Sequence, residues 1–257
     1  DYVTIDGRPG GSGSSKQLTV SNTHLSGTSI RFINDATNNV LQYLTIQGVC
    51  TTTTSGVVLF STTTGSTGND NNLIEYCDVK DGASNPVNGI YSSGTTTSLT
   101  HFNSGNAVSN CNIYNFFLAN GASSGVLVAG GNTDWSITNN HFYQTATRTH
   151  SSTGAYYQVI AITGSTGNNF TVSGNFIGGS ASSAGGSAWT QTGSGNFFYG
   201  LRMYCADATA SNVQGNTIRN ISITTSANGY PISPIFVGSG SVNIGTVTGN
   251  IIGDSTT

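Results

Sequence analysis

Charge is what this sequence has least of. Seven Lys and Arg and ten Asp and Glu are spread over 257 residues, 7% of the chain, against the roughly one quarter usual for soluble domains. The formal net charge of -3 is weak, and there is no Lys/Arg run or basic–aromatic patch, so nucleic acid is not an expected partner. No apolar stretch approaches the roughly 20 residues that span a bilayer, so no membrane span is expected. Helical periodicity is missing, and Gly, Asn and Thr punctuation would break a helix anyway. The four cysteines have no metal-ligand spacing, and no cofactor is expected. A chain this poor in charge and holding 35 Gly resembles disorder in composition alone. Its Val, Ile, Leu and Phe nevertheless recur in register, which a disordered tract does not maintain.

What is present is a repeat. An apolar residue is followed five positions later by another, at Val20/Leu25, Leu41/Ile46, Ile74/Val79, Val108/Ile113, Ile137/Phe142, Val172/Ile177, Val213/Ile218 and Val247/Ile252. Two residues after the first stand Asn22, Tyr43, Tyr76, Asn110, Asn139, Gly174, Gly215 and Gly249. Asn and Gly tolerate positive φ, so the spacing predicts two short strands joined by a tight turn. A third apolar segment, usually led by Gly, lies between successive turns: Gly27–Ile33, Gly56–Phe60, Gly89–Tyr91, Gly125–Ala129, Tyr156–Ile162, Gly200–Tyr204 and Ile235–Val237. Such self-similarity predicts an all-β solenoid of about eight coils, one domain over residues 1–257, with Gly/Ser/Thr-rich loops. The longest loop is 179–196, with Trp189 in its middle. Parallel crossovers are right-handed as a rule, so a right-handed coil is expected.

The position after the turn residue reads Thr23, Leu44, Cys77, Cys111, Asn140, Asn175, Asn216 and Asn250. From Cys77 onward this predicts a buried ladder, in which each side chain bonds its copies and satisfies the turn's polar groups. Cys77 and Cys111 then stack as neighbours, either as two thiols or, if local geometry departs from ideal stacking, as a coil-to-coil disulfide. The Gly-Asn turns at 174–175, 215–216 and 249–250 resemble the asparagine ladder of right-handed, pectate-lyase-like parallel β-helices, from about Gln17 onward. The DYVTIDGR opening and Thr-rich coils are similar to repeats of large secreted bacterial surface proteins. The resemblance implies a secreted or cell-surface protein. A first residue of Asp1 fits a processed chain or an excised segment.

The resemblance also implies polysaccharide lyases and glycoside hydrolases, whose acids hold calcium or act as an acid/base pair. Asp70, Glu75, Asp78 and Asp81 are the only calcium candidates, read against a solvated charged patch. Neighbouring coils put Gln42, Thr45, Gly48, Ser109, Asn112 and Asn115 at the matching rows, so no catalytic residue is assigned. His141, Arg148 and His150 have no carboxylate in register, and His141 reads as an exposed turn residue. Arg202, Asp207 and Arg219, like Asp6 and Arg8, read as structural ion pairs. Tyr114, Tyr143 and Trp189 are the candidates for carbohydrate contact. Asn169 and Asn220 match an N-glycan acceptor pattern, and Asp254-Ser-Thr resembles an O-glycan site.

Neither end carries a recognisable cap, although a solenoid exposes unpaired strand edges there. The expectation is an extracellular structural or adhesive solenoid, more a scaffold than an enzyme, stacking head to tail on copies of itself into a filament or forming part of a surface array. The alternative is a polysaccharide-binding or polysaccharide-degrading β-helix.

Overall fold

A left-handed turn in each of the six inner repeats sets the local geometry. Tyr43, Tyr76, Asn110, Asn139, Gly174 and Gly215 have φ between 52° and 65°. Asn and Gly adopt this conformation readily, whereas a tyrosine pays roughly 1 kcal/mol for it. The two tyrosines recover contact by stacking on each other at 4.8 Å, with the Arg8 guanidinium 4.3 Å from the Tyr43 ring centre. On either side of the turn the apolar residues point inward, and side chains at alternate positions point out.

The computed structural model of the protein describes residues 1–226 and 229–253. Its strands stack into three long sheets, and every paired strand of these sheets is parallel to its neighbour. The first sheet has eight strands, from Thr4–Asp6 through Val40–Gln42 and Ala107–Ser109 to Val242–Ile244. The second, also of eight, runs from Thr19–Asn22 through Asp78–Asp81 and His141–Tyr143 to Ile251–Ile252. The third has seven, from Ile30–Phe32 to Ile232–Ser239, and takes in all seven Gly-led or apolar segments. Those glycines answer to close stacking: a Cβ on Gly89 or Gly125 would lie 2.7 Å from a carbonyl oxygen of the next strand. The result is an all-β parallel solenoid.

One apolar cluster fills the interior from Phe32 and Leu41 to Val213 and Ile218. Ile74, Val108, Ile137 and Val172 stack in register in the first sheet, as do Val79, Ile113, Phe142 and Ile177 in the second. Full burial of each such side chain is worth about 2 kcal/mol.

The terminal repeats differ from the sequence reading. Val20 belongs to the second sheet, on Ile46, and the first-sheet position is held by Ile5, on Leu41. Residues 7–18 form an insertion between the two strands, so the five-residue spacing to the exposed Leu25 is coincidental. At the other end Ile244, rather than Val247, stacks on Val213, while Ile252 stacks on Ile218 as expected. Val247 is 89% exposed.

Two smaller sheets also depart from that reading. Asn103–Ser104 pairs with Asn132–Thr133, and a three-stranded side wall of Arg148–His150, Trp189–Gly193 and Ile221–Ile223 closes the coil between the second and third sheets. The sequence places the first two wall strands inside loops. Gly- and Thr-rich composition hid them, because their inward residues are polar as well as apolar.

Candidate functional site

The ladder is a chain of hydrogen bonds inside the turn column. The Asn140 N–H donates to Asn175 Oδ1 at 3.0 Å, Asn175 N–H to Asn216 Oδ1 at 3.0 Å, and Asn216 N–H to Asn250 Oδ1 at 2.9 Å. Each amide also donates to the carbonyl of the preceding repeat's first apolar residue: Asn140 to Val108, Asn175 to Ile137, Asn216 to Val172, Asn250 to Val213. Cys77 and Cys111 take over both roles. Leu44 N–H meets Cys77 Sγ at 3.5 Å and Cys77 N–H meets Cys111 Sγ at 3.4 Å, while the thiols face the carbonyls of Leu41 and Ile74. Both are free thiols and fully buried, and burial pushes the Cys111 thiol well up. Cys50 and Cys205 are likewise free and buried.

Two further ladders, absent from the sequence reading, lie in the turns before the first sheet and beside the third. Asn39 donates to Asn72 and Asn72 to Asn106, at 2.8 and 3.0 Å. Asn69 donates to Asn103 at 3.0 Å, and Asn103 reaches Asn132 through the Ser92 hydroxyl. The first had a visible signal, an Asn two residues before the first apolar position in three successive repeats. Trp135, Phe170 and Ser211 then occupy that column, so the pattern lapses.

The four acids offered for calcium do not converge. Asp70 lies in the turn before the first sheet, accepting the Ser104 N–H, and its carboxyl is raised by burial. Glu75 is on the first sheet beside Gln42 and Ser109. Asp78 and Asp81 are on the second sheet: Lys16 Nζ lies 2.5 Å from Asp78 Oδ1, Asn112 donates to the same oxygen at 2.7 Å, and Asn115 donates to Asp81. Among the described residues no three His, Cys, Asp or Glu are grouped to hold a metal ion.

The aromatic candidates are spent on packing. Tyr114 and Tyr143 stack face to face at 4.6 Å, with Lys80 5.7 Å from the Tyr114 ring centre. Burial, with Asp78 and Asp81 nearby, pushes the Tyr114 hydroxyl up to about 12. Each ring has given a face to the other. Trp189 is fully buried among Phe116, Tyr157 and Phe198 and presents no face to a sugar.

The remaining candidates also move. His141 is a half-buried strand residue, its Nδ1 accepting the Ser183 N–H at 3.0 Å, not an exposed turn residue. Among the described residues the ion pairs are Asp6–Arg8, as expected, and Asp78–Lys16; Arg202, Asp207 and Arg219 form none. Arg202 instead sits 4.5 Å from the Tyr156 ring centre, 5.0 Å from Tyr204 and 5.5 Å from Tyr199, donating to Gln158 and leaving its buried Nε unpartnered. Arg148 is buried in the side wall and held by three amide oxygens, those of Gln144, Asn85 and Asn115, at 2.6, 3.1 and 2.8 Å. The sequon amides are occupied: Asn169 donates to Asp134, and Asn220 to the Ala184 and Gly186 carbonyls. Asp254-Ser-Thr lies outside the described residues.

Apolar surface gathers at the two ends. Of the large apolar residues that are exposed, all but Tyr76, Leu99 and Tyr156 lie within residues 2–33 or 232–252, in or beside the end strands of the sheets. An open cleft of about 250 Å³ lined by Val3, Ile5, Ile30 and Phe32 marks one end. Another of about 450 Å³, lined by Phe198, Ile218, Ile223, Ile232 and Ile252, marks the other. No helix of the described residues is long and apolar enough to cross a membrane. Comparison with protein-family models, curated proteins and solved structures gives no match to this chain.

Proposed function

We propose that this chain is an extracellular structural or adhesive solenoid, a right-handed β-helix of about eight coils related in its ladder to the pectate-lyase-like helices, which assembles end to end with copies of itself. The observation that carries this reading is the gathering of most exposed large apolar side chains in residues 2–33 and 232–252, in or beside the end strands of the sheets. Parallel strands give each end a different face, so contact between them is heterologous and propagates. A second copy set on the last strands pairs Thr4–Asp6 with Val242–Ile244 and Thr19–Asn22 with Ile251–Ile252, extending two sheets directly. Among the described residues the third sheet has seven strands to the others' eight, so in this arrangement a notch remains at the 450 Å³ cleft. About eight rungs at roughly 4.8 Å give an axial repeat of roughly 4 nm.

Electron microscopy of the purified chain across a concentration series tests it. Rods that lengthen in steps of that repeat, and that shorten to single units in Val247→Asp with Ile251→Lys, are the expected result. Single short rods at every concentration defeat the reading.

A second reading, attachment to an acidic polysaccharide, draws on Arg202, a guanidinium bedded on tyrosines without a carboxylate partner among the described residues. Retention on polyuronate but not on neutral glucan, lost in Arg202→Gln, is its signature. Equal retention of both proteins removes it.

A further inference from the structure

We propose that the side wall is an acid-responsive element: protonation of His150 opens the strands Arg148–His150, Trp189–Gly193 and Ile221–Ile223 while the three long sheets stay closed. The wall is the least satisfied part of the interior. Of the buried side-chain polar atoms without a partner, three belong to it: His150 Nδ1, Gln191 Nε2 and Trp189 Nε1. Unsatisfied buried polar groups cost stability in proportion to their number, and segments that carry them are the first to open locally.

His150 ends the edge strand of this wall. It is 4% exposed, and its ring meets the edges of Phe117 and Tyr157 at 5.1 and 5.7 Å. Its Nε2 lies 3.4 Å from Gln191 Oε1, and Nδ1 has no hydrogen-bond partner among the described residues. The groups around it can be named wall by wall. Its own strand supplies Arg148, a buried cation that points inward two residues away. The segment before the third sheet supplies Phe117, the third sheet Tyr157, and the next wall strand Gln191. Thr224, Tyr230 and Ile232 line the small cleft beside it. None is a carboxylate; Asp81 reaches Arg148 only through Asn115. An imidazolium would therefore place a second positive charge beside Arg148, with a new N–H donor and no acceptor for it among the described residues.

Burial already holds the His150 imidazole below its ordinary range. An opened wall protonates at the ordinary value of about 6.5. Between the two values the open form binds more protons, so the wall is most stable above about pH 6.5 and loses stability as pH falls below it. Strand Arg148–His150 is the edge most exposed to this loss: it pairs with a wall strand on one side, and on the other is held by Arg148's three amide bonds and by Ser151 N–H to the Ala119 carbonyl. Opening would bare Trp189, Phe116 and Tyr157.

Hydrogen exchange at pH 7.5 and 5.0, expressed as protection factors, tests this on the whole chain. The expected result is a drop of about tenfold in wall protection for each pH unit by which burial lowers the imidazole, with the three long sheets unchanged. His150→Phe and His150→Gln, one apolar and one polar, should both abolish the pH dependence, and His141→Gln should keep it. Flat protection in the native protein, a response that survives both His150 variants, or one that disappears with His141→Gln overturns the proposal. So does equal loss across all sheets.

Discussion

The N–H of Cys111 donates to Oδ1 of Asn140 at 2.9 Å, and this bond joins a sulfur ladder to an amide ladder. On one side the acceptors are thiols at 3.4 to 3.5 Å; on the other they are carboxamides near 3.0 Å. The two chemistries do the same work because each offers one acceptor and at least one donor at the same distance from the backbone. Thiols do it more weakly.

That difference is measurable. Asn175 accepts from Asn140 and donates to Ile137, so Asn175→Ala leaves a buried N–H and a buried carbonyl unpaired. A loss of about 3 kcal/mol is expected in denaturant unfolding. Cys111→Asn, by contrast, should raise stability by about 1 kcal/mol, since it replaces a sulfur acceptor with an amide. Equal effects of the two would mean the ladder bonds carry no differential energy.

Thiol reactivity gives a second check. All four cysteines are buried and free. An aromatic disulfide reagent should label none in the native protein and all four after denaturation, with rates that follow opening rather than collision. Fewer than four labelled under denaturing, non-reducing conditions would reveal a disulfide.

The tyrosine stack predicts an alkaline limit. Burial raises the Tyr114 and Tyr143 hydroxyls, Tyr114 to about 12, so the folded chain keeps protons that the unfolded chain releases near 10. Their contribution is complete below about pH 10 and is lost as pH rises from 10 toward 12. Tyr114→Phe should flatten that limb of a melting-temperature profile and leave the values near pH 7 within a few degrees.

Lys16 clasps the 7–18 insertion to the body, reaching from the first repeat to Asp78 in the third. Both side chains are about one-fifth exposed. Lys16→Ala is expected to cost about 1 kcal/mol or less in global stability. Limited proteolysis within residues 9–15 should nevertheless accelerate several-fold. An unchanged cleavage rate would show that the insertion holds without the clasp.

The inner repeats were legible because one physical demand recurs in each. A left-handed turn between two inward residues requires Asn or Gly, or a tyrosine that can stack, and the sequence shows that choice from Tyr43 to Gly215. The terminal repeats misled for the same reason: Val20/Leu25 and Val247/Ile252 satisfy the spacing by chance, while the true strands begin at Thr4 and Val242. The second ladder, Asn39, Asn72 and Asn106, was visible as a column. It lapses where Trp135, Phe170 and Ser211 replace the asparagines in the following repeats.

Among the site candidates, the predicted turn at Tyr76 already separates Glu75 from Asp78, but no local pattern says that Lys16, 62 residues away, takes the Asp78 carboxylate. It could name Trp189 in a loop, but not that the loop folds inward beneath Ile221 and beside Tyr157.

What the sequence by itself determined is the repeating unit: its strands, its turn and the ladder within, all set by contacts between residues a few positions apart and copied at each coil. Only the tertiary structure decided where the repeats' insertions meet. Arg148 finds Asn85 across 63 residues, and His150 finds Gln191 across 41, through bonds that no local pattern encodes. The ends are likewise a tertiary matter, because an apolar residue is covered or bare according to whether another strand stacks above it.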